Sequence, residues 1–309
     1  MTRAGTRFLI GSLSLALCSA SVLAAQVFRV ATYNLENYLA APVGTRPAKP
    51  APAKIKIRQS IRKLNADVLA LQEVGGTNAL LELRASLKAD GVDYPHWEFV
   101  QGFDTNIHVA VLSKFPFSAR RPHTNESFLL KSRRFFVGRG FAEVDVRPNP
   151  RYTFTLLTAH LKSRREVATA SETELREQEA RLLRDAIDAR LAASTNLNLV
   201  VLGDFNDTHD SLTIKTILGK GVTALLDTRP AERNGDSLRQ ADKRWPRRTV
   251  TWTYHYGVKD AYERIDYLLL SRGMAKEWDP KGTFVLRLPN WGVGSDHRPI
   301  VASFWAEDR

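Results

Sequence analysis

Apolar and polar positions divide the chain into short apolar runs separated by polar turns, with a few stretches of helical period. Val27 to Tyr33 (VFRVATY) alternates as a strand. Residues 41–54 (APVGTRPAKPAPAK), rich in Pro, Ala and Lys, read as a surface loop. Ile57, Ile61 and Leu64 then recur at helical spacing, and residues 66–74 (ADVLALQEV) form a short buried strand. A helix is expected from about Asn78 to Lys88, closed by Asp90-Gly91. Residues 108–117 predict another strand, and 140–146 with 152–160 a hairpin around RPNPR. Residues 171–194 predict a long amphipathic helix with Leu175, Leu182, Leu183 and Ile187 inward, and Ser171 with Glu174 as its capping box. Strands at 198–203, 249–254, 264–270, 283–287 and 299–305 follow. So many strands with few helices do not fit one open parallel sheet. The pattern predicts an α/β fold of two packed, mostly antiparallel sheets with helices on their outer faces. No period of repetition is visible, which excludes solenoids and propellers.

The first 25 residues stand outside this pattern. Arg3 and Arg7 precede an apolar, small-residue stretch from Phe8 to Leu23, and Val22-Leu23-Ala24-Ala25 offers a small-residue cleavage site. This is the pattern of a secretory signal peptide, with cleavage expected after Ala24 or Ala25 and a mature domain of residues 26–309. The expected destination is outside the cytoplasm, secreted or periplasmic, with no stable membrane association once the signal is removed. An uncleaved anchor is the competing reading, against which the segment is short and dotted with Ser and Gly. The single cysteine, Cys18, lies inside the segment, so the mature chain has no thiol for disulfides or metal ligation.

The formal net charge of +12 falls to +10 without Arg3 and Arg7. A field of that sign attracts polyanions such as nucleic acid, anionic headgroups or phosphorylated small molecules, although a basic balance also serves solubility. Two segments mix cations with aromatics: residues 129–140 (LLKSRRFFVGRG) and 239–254 (RQADKRWPRRTVTWTY). Cations can hold phosphates and rings can stack on bases. Phe135, Phe136 and Trp252 read more readily as core residues, whereas Trp245, between Arg244 and Pro246, is a candidate substrate contact.

At the ends of apolar runs stand polar residues that bind cations or move protons: Asn34 and Glu36, Gln72 and Glu73, His160, Asp204 and Asn206, Asp266, and Asp296 with His297. A carboxylate at the end of a buried strand is costly unless paired, hydrogen-bonded or bound to a cation. Any one of these is explicable as a turn or cap. Their recurrence at so many strand ends points to one shared site.

The ordered set TYNLEN (32–37), LALQEV (69–74), TAHLKS (158–163), VLGDFND (201–207), RIDYLLLS (264–271) and SDHRPI (295–300) resembles the endonuclease/exonuclease/phosphatase superfamily. The resemblance spans essentially the whole mature chain and implies a four-layer α/β sandwich. It further implies that Glu73 is the principal ligand of a divalent cation with Asn34 beside it. Asp204 and Asn206 are implied to position the attacking water and contact the phosphate. His297 is implied to contact the scissile phosphate, with Asp266 orienting it and Asp296 as a further metal contact, and His160 resembles the second histidine of nuclease-like members. Lys162 and Arg139 lie where substrate phosphates are expected, Asn34 also belongs to the substrate set, and Asp104 is a candidate partner for His160. Asp207 reads as a turn residue.

Hydrolysis of a phosphate ester needs neutralisation of the phosphoryl oxygens and a deprotonated water. Carboxylates and an amide without cysteines suit Mg²⁺, with Mn²⁺ or Ca²⁺ as substitutes, while zinc on His160 and His297 is the competing metal. Either Asp204 or His297 serves as the base. The expected activity is an exported, metal-dependent phosphodiesterase acting on nucleic acid. The alternatives are a phosphomonoesterase or a phospholipid phosphodiesterase of the sphingomyelinase kind, and a non-catalytic binding module on the same scaffold.

Overall fold

The computed structural model describes residues 26–232 and 251–309, so the predicted signal peptide and Trp245 lie outside the described residues. The first half contains β1 (Val27–Tyr38), α1 (Ala51–Leu64), β2 (Val68–Val74), α2 (Thr77–Ala89), β3 (His96–Val100), β4 (His108–Ser113), β5 (Phe117–Arg120), β6 (Ser127–Leu130), β7 (Arg133–Phe136) and β8 (Phe141–Asn149). The second contains β9 (Tyr152–His160), α3 (Glu172–Ala193), β10 (Leu199–Asp204), α4 (Leu212–Leu218), β11 (Leu226–Asp227), β12 (Tyr254–Tyr256), β13 (Ala261–Glu263), β14 (Asp266–Leu270), α5 (Arg272–Glu277), β15 (Trp278–Val285) and β16 (Ile300–Trp305).

Two six-stranded sheets form, in the orders β15-β16-β1-β2-β4-β3 and β11-β14-β10-β9-β8-β5. Each has one parallel pair near its middle, β1·β2 and β9·β10, and is otherwise antiparallel. A parallel pair needs a crossover, and α1 and α3 supply the two. Phe28, Val30, Val68 and Ala70 of the first sheet meet Leu156, Val200, Leu202 and Leu268 of the second in the central core. The alternate residues Ala31, Tyr33, Leu69 and Leu71 pack under α1 and α2, and Leu199, Val201, Tyr267 and Leu269 under α3 and α4. Strands covered on both faces read as continuous apolar runs. The molecule is the four-layer α/β sandwich expected.

The sheet alternation also places the site. Continuing inward positions along the strands leads from Phe28 and Val30 to Thr32 and Asn34, from Val68 and Ala70 to Gln72, from Leu156 to Thr158 and His160, and from Val200 and Leu202 to Asp204. At one end the layer between the sheets therefore turns from apolar to polar. Thr32 Oγ1 donates to Gln72 Oε1 at 3.1 Å and Gln72 Nε2 to Thr158 Oγ1 at 3.2 Å, a buried bridge between the sheets beneath the functional groups.

Several expectations need correction. Helix α1 begins at Ala51, not after residue 54, because Pro50 caps it and Pro52 in the first turn lacks only an N–H that a helix start leaves unused. The run 108–117 is not one strand: it breaks at Lys114-Phe115-Pro116, leaving β4 in the first sheet and β5 in the second. Residues 251–253 are not strand, and β12 begins only at Tyr254. Phe136 is surface-exposed and stacks on exposed Phe103 with ring centroids 4.9 Å apart, rather than joining the core. Leu182 is only partly buried, whereas the charged Arg176, Glu179 and Arg184 of the same helix are buried, each with hydrogen-bond partners.

Candidate active site

Asp204 stands at the centre of the polar end. It closes β10, where its neighbours in register are His160 on β9 and Asp266 on β14. Gly203 makes that closeness possible: its φ is +138°, and a Cβ there would lie 2.0 Å from Ala159 O on β9. The Asp204 carboxylate is buried, and its Oδ2 accepts from Asn34 Nδ2 at 2.9 Å. The same oxygen is 3.5 Å from His160 Nε2 and 3.7 Å from His297 Nε2. Oδ1 accepts the Asn206 backbone N–H at 2.9 Å. Burial, with the nearby Asp266 charge, pushes the Asp204 carboxyl up to about 7 against the pull of His297, Asn34 and the Asn206 N–H.

His297 comes from the segment before β16. Its Nδ1 is hydrogen-bonded to Asp266 Oδ2 at 2.8 Å, leaving Nε2 toward Asp204 and, at 3.8 Å, Asp296 Oδ1. Burial opposes the imidazolium, but the three carboxylates outweigh it and raise the His297 pKa well above the usual histidine range. His160 is moved the other way. Burial, followed by the charges of Arg139, His297, Arg46 and Lys162, lowers its pKa far below that range. The two imidazoles of one site are therefore shifted in opposite directions by their surroundings.

Glu73 breaks the alternation that places the other groups. Its φ of +59° sits in a register shift between β2 and its neighbours, and this bulge brings its carboxylate beside Asn34. Glu73 Oε2 accepts the Asn37 N–H at 2.8 Å, and Oε1 lies 3.4 Å from Asn34 Nδ2 and 3.9 Å from His160 Nε2. Asn206 has a φ of +54° and Glu36 one of +48°, so strained backbone clusters here. Asp266, His297 and Asp204 offer ligand atoms within 4.8 Å of one another, but Asp266 and His297 are bonded to each other as a dyad. The Glu73 carboxylate and half-buried Asp296, whose charges act on each other, are hard oxygen donors of the kind a divalent cation takes, while Asn34 turns Nδ2 toward Glu73 and Asp204 and its Oδ1 accepts the Glu36 N–H at 2.9 Å. Burial, with Glu36 and Glu73 nearby, pushes the Asp296 carboxyl up to about 6 against the pull of His297.

The remaining candidates divide. Asn206 Nδ2 donates to Leu161 O at 3.0 Å, and the buried guanidinium of Arg139 approaches the same carbonyl at 3.5 Å, which puts Arg139 in the site wall beside His160. The Lys162 ammonium does not reach into the site: it donates to Ser163 O and Arg165 O of its own loop. Asp104 is not the partner of His160. It accepts from Asn106 N within its own turn and lies 3.9 Å from Arg139, while His160 Nδ1 is buried without a hydrogen-bond partner among the described residues. Asp207 pairs with buried Arg176 on α3 at 3.0 Å as well as capping Thr208 N, which ties the loop after β10 to the helix.

Three supporting groups escaped sequence reasoning. The Tyr254 ring packs on His297 with centroids 4.8 Å apart. Thr253 Oγ1 accepts the backbone N–H groups of Ile265 and Asp266, and Ser295 Oγ donates to Asn34 O while accepting His297 N. Their only signal in sequence is adjacency to a recognisable motif, as with Ser295 before Asp296-His297.

Residues 31–297 match the model of the Endonuclease/Exonuclease/phosphatase family. The fold is similar to a truncated TDP2 from Caenorhabditis elegans (TM-score 0.56, 14% identity, 91% of this chain and 98% of that one). It is similar also to the human Nocturnin catalytic domain with bound sulfate anion (0.59, 17%, 90% and 94%) and to sphingomyelinase C from Streptomyces griseocarneus (0.59, 18%, 91% and 100%). No curated protein matches the chain in sequence.

Proposed function

The chain belongs to the endonuclease/exonuclease/phosphatase family, whose members are metal-dependent phosphoric ester hydrolases, and we propose that it is an exported nuclease that hydrolyses nucleic-acid phosphodiester bonds. The observation that carries the catalytic reading is the buried carboxylate of Asp204, met by Asn34 from the first sheet and by both imidazoles. The Asp266–His297 pair supports a division of labour. An imidazole ringed by Asp266, Asp204 and Asp296 keeps its proton, so His297 acts as a cationic donor to a phosphate oxygen and Asp204 takes the proton of the attacking water. Asp266 holds the ring so that Nε2 faces Asp204 and Asp296. Asn206 lies beside Asp204, Arg139 approaches the same Leu161 carbonyl that Asn206 binds, and His160 faces Asp204 from β9. Glu73 and Asp296 would hold the divalent ion with Asn34 beside them, and the ion when bound would neutralise charge on the phosphoryl group.

Nucleic acid is favoured by the basic balance, +10 for residues 26–309, and export by the N-terminal segment. The test incubates the mature protein with Mg²⁺ against plasmid DNA, RNA, sphingomyelin vesicles and an aryl phosphate, beside Asp204→Ala and His297→Ala. We expect nucleic-acid cleavage that falls by roughly 10²- to 10⁴-fold in each variant. Cleavage of the lipid or the monoester alone would overturn the nuclease reading, and nucleic-acid cleavage untouched by both substitutions would sink the site assignment.

A further inference from the structure

A cleft of about 610 Å³ opens beside the site, between the loop Ser163–Arg165 after β9 and the β12–β13 hairpin. Two of its lining residues belong to the site as well. Asn206 is bonded through its N–H to Asp204, and Tyr254 packs on His297. Whatever occupies the cleft is thus continuous with whatever is held at the scissile phosphate. Its volume suits a small-molecule-sized unit.

The lining has the chemistry of a nucleotide. Tyr254 and Tyr256 are alternate residues of β12, so their rings stand in a row on one face, 6.4 Å apart and 19° from parallel. Tyr256 is exposed, so its ring is open to stack on a base. Among the cations, Arg164 is already committed: it reaches across the cleft to Glu263 at 2.6 Å and approaches Asn206 O at 3.3 Å, tying the two walls together. Arg165 and Lys259, one on each wall, have no carboxylate partner among the described residues. A diacylglycerol-like group would require an aliphatic lining, and the only aliphatic side chains in the cleft among the described residues are Ala261 and Ile265, its remaining apolar surface being largely the tyrosine rings.

We propose that this cleft binds the nucleotide adjoining the scissile phosphate, with its base on Tyr256 and Tyr254 and its far phosphate between Arg165 and Lys259. The proposal rests on the nuclease reading and extends it to a substrate longer than one phosphodiester. Cations in such a place hold phosphates whatever the sequence, and rings accept any base, so the expected selectivity is for length rather than sequence.

The test compares a short single-stranded oligonucleotide with bis(p-nitrophenyl) phosphate, which has no second phosphate. The variants are Arg165→Ala with Lys259→Ala, the charge-preserving Arg165→Lys, and Tyr256→Ala, all at exposed positions outside the catalytic set, with thermal unfolding as the check on folding. The double alanine variant should raise KM for the oligonucleotide roughly tenfold and reduce the slope of log KM against log salt by about 0.7 for each lost phosphate contact. Tyr256→Ala should raise it about fivefold or more. Arg165→Lys should stay near wild type, and kcat/KM for the aryl diester should be unchanged throughout. Oligonucleotide kinetics identical to wild type in every variant would overturn the cleft assignment while leaving the nuclease reading intact. Equal losses on both substrates would overturn it as well, because the residues would then act on the scissile site itself. A wild-type enzyme that cleaves the aryl diester but no oligonucleotide would overturn the nuclease reading, and this assignment with it.

Discussion

Gly203→Ala perturbs the most crowded backbone at the site and should damage stability and catalysis together. The added Cβ would lie 2.0 Å from Ala159 O, 3.1 Å from Ala159 C and 3.2 Å from Ala159 N. All three are backbone atoms of a central strand, so no side-chain rotation relieves the overlap. The parallel pair β9·β10 must separate locally, by about 1 Å or more, to restore a tolerable carbon–oxygen contact. A second cost comes from holding a residue with a Cβ at a φ of +138°. Overpacking of a fixed interior costs about 1–3 kcal/mol and a glycine-only backbone conformation about another 1–3, so we expect a loss of roughly 4 kcal/mol. In a domain of this size that lowers the melting temperature by about 8–16 °C. The next residue is Asp204, and displacing a catalytic group by about 1 Å costs on the order of 10²-fold in rate. Urea unfolding followed by far-ultraviolet circular dichroism gives the stability, and kcat/KM on a diester at low temperature gives the catalytic loss in protein that is still folded. Gly292→Ala is the control, since its added Cβ meets nothing within 4 Å, and it should stay within about 1 kcal/mol of wild type. If Gly203→Ala unfolds with the control and turns over substrate at the wild-type rate, the strand approach does not position Asp204.

Asp266→Asn removes the carboxylate that most favours the His297 imidazolium, so the pKa of His297 should fall and the high-pH limb of kcat/KM should move to lower pH; a profile that keeps its alkaline limb would return the role of base to His297. Glu73→Gln should raise the Mg²⁺ concentration for half-maximal activity by about tenfold or more, and chelation of wild type should abolish turnover until Mg²⁺ or Mn²⁺ is restored; activity indifferent to the chelator would refute both. Away from the site, His123 Nε2 is hydrogen-bonded to buried Glu143 at 3.0 Å and its Nδ1 to Glu126 at 3.1 Å. The Glu143 bond raises the His123 pKa, which adds stability below the unfolded value of 6.5 and loses it as pH rises through the higher folded value. Glu143 is lowered, burial opposing but His123 and Arg121 prevailing, so its contribution is present above 4.5 and lost as pH falls through the lower folded value. The melting-temperature gap between wild type and His123→Asn should therefore be widest near pH 5–6 and shrink toward pH 9, and a gap independent of pH would remove the ion pair from the account.

Asn34, His160 and Asp204 were legible because their placement obeys a strand's period of two. Each follows buried apolar residues of its own strand at a spacing of two or four, so the same alternation that hides Val30, Leu156 and Leu202 between the sheets presents the polar residue at the end of that layer. The N-cap of α3 was legible for a similar reason: Ser171 Oγ accepts Glu174 N three residues away, whereas the other half of the expected capping box is not formed, because the Glu174 carboxylate pairs with Lys131. The exchange of the chain between sheets at Lys114-Phe115-Pro116 was not legible, because Ser113 pairs with Val68 in one sheet while Phe117 pairs with Val146 in the other, and neither partner is local.

Glu73 marks the limit of pattern reasoning at the site itself. By parity it shares the face of Leu69 and Leu71, which lies under the helices, and a regular strand would bury its carboxylate away from Asn34. The residue reaches Asn34 only because its backbone adopts φ +59°, a conformation costing about 1–3 kcal/mol in a residue with a side chain. Asn37 N, itself at φ +54°, then binds the carboxylate at 2.8 Å, so strain on one strand is stabilised by a hydrogen bond from the other. That compensation uses one carboxylate oxygen and leaves the other beside Asn34 and His160, where a divalent cation would relieve the crowding of Glu73 and Asp204 around a single amide. A strained backbone that exposes a carboxylate to a second carboxylate makes physical sense in a protein that binds a cation there. Under the proposed function the bulge at Glu73 serves cation binding rather than the stability of the fold.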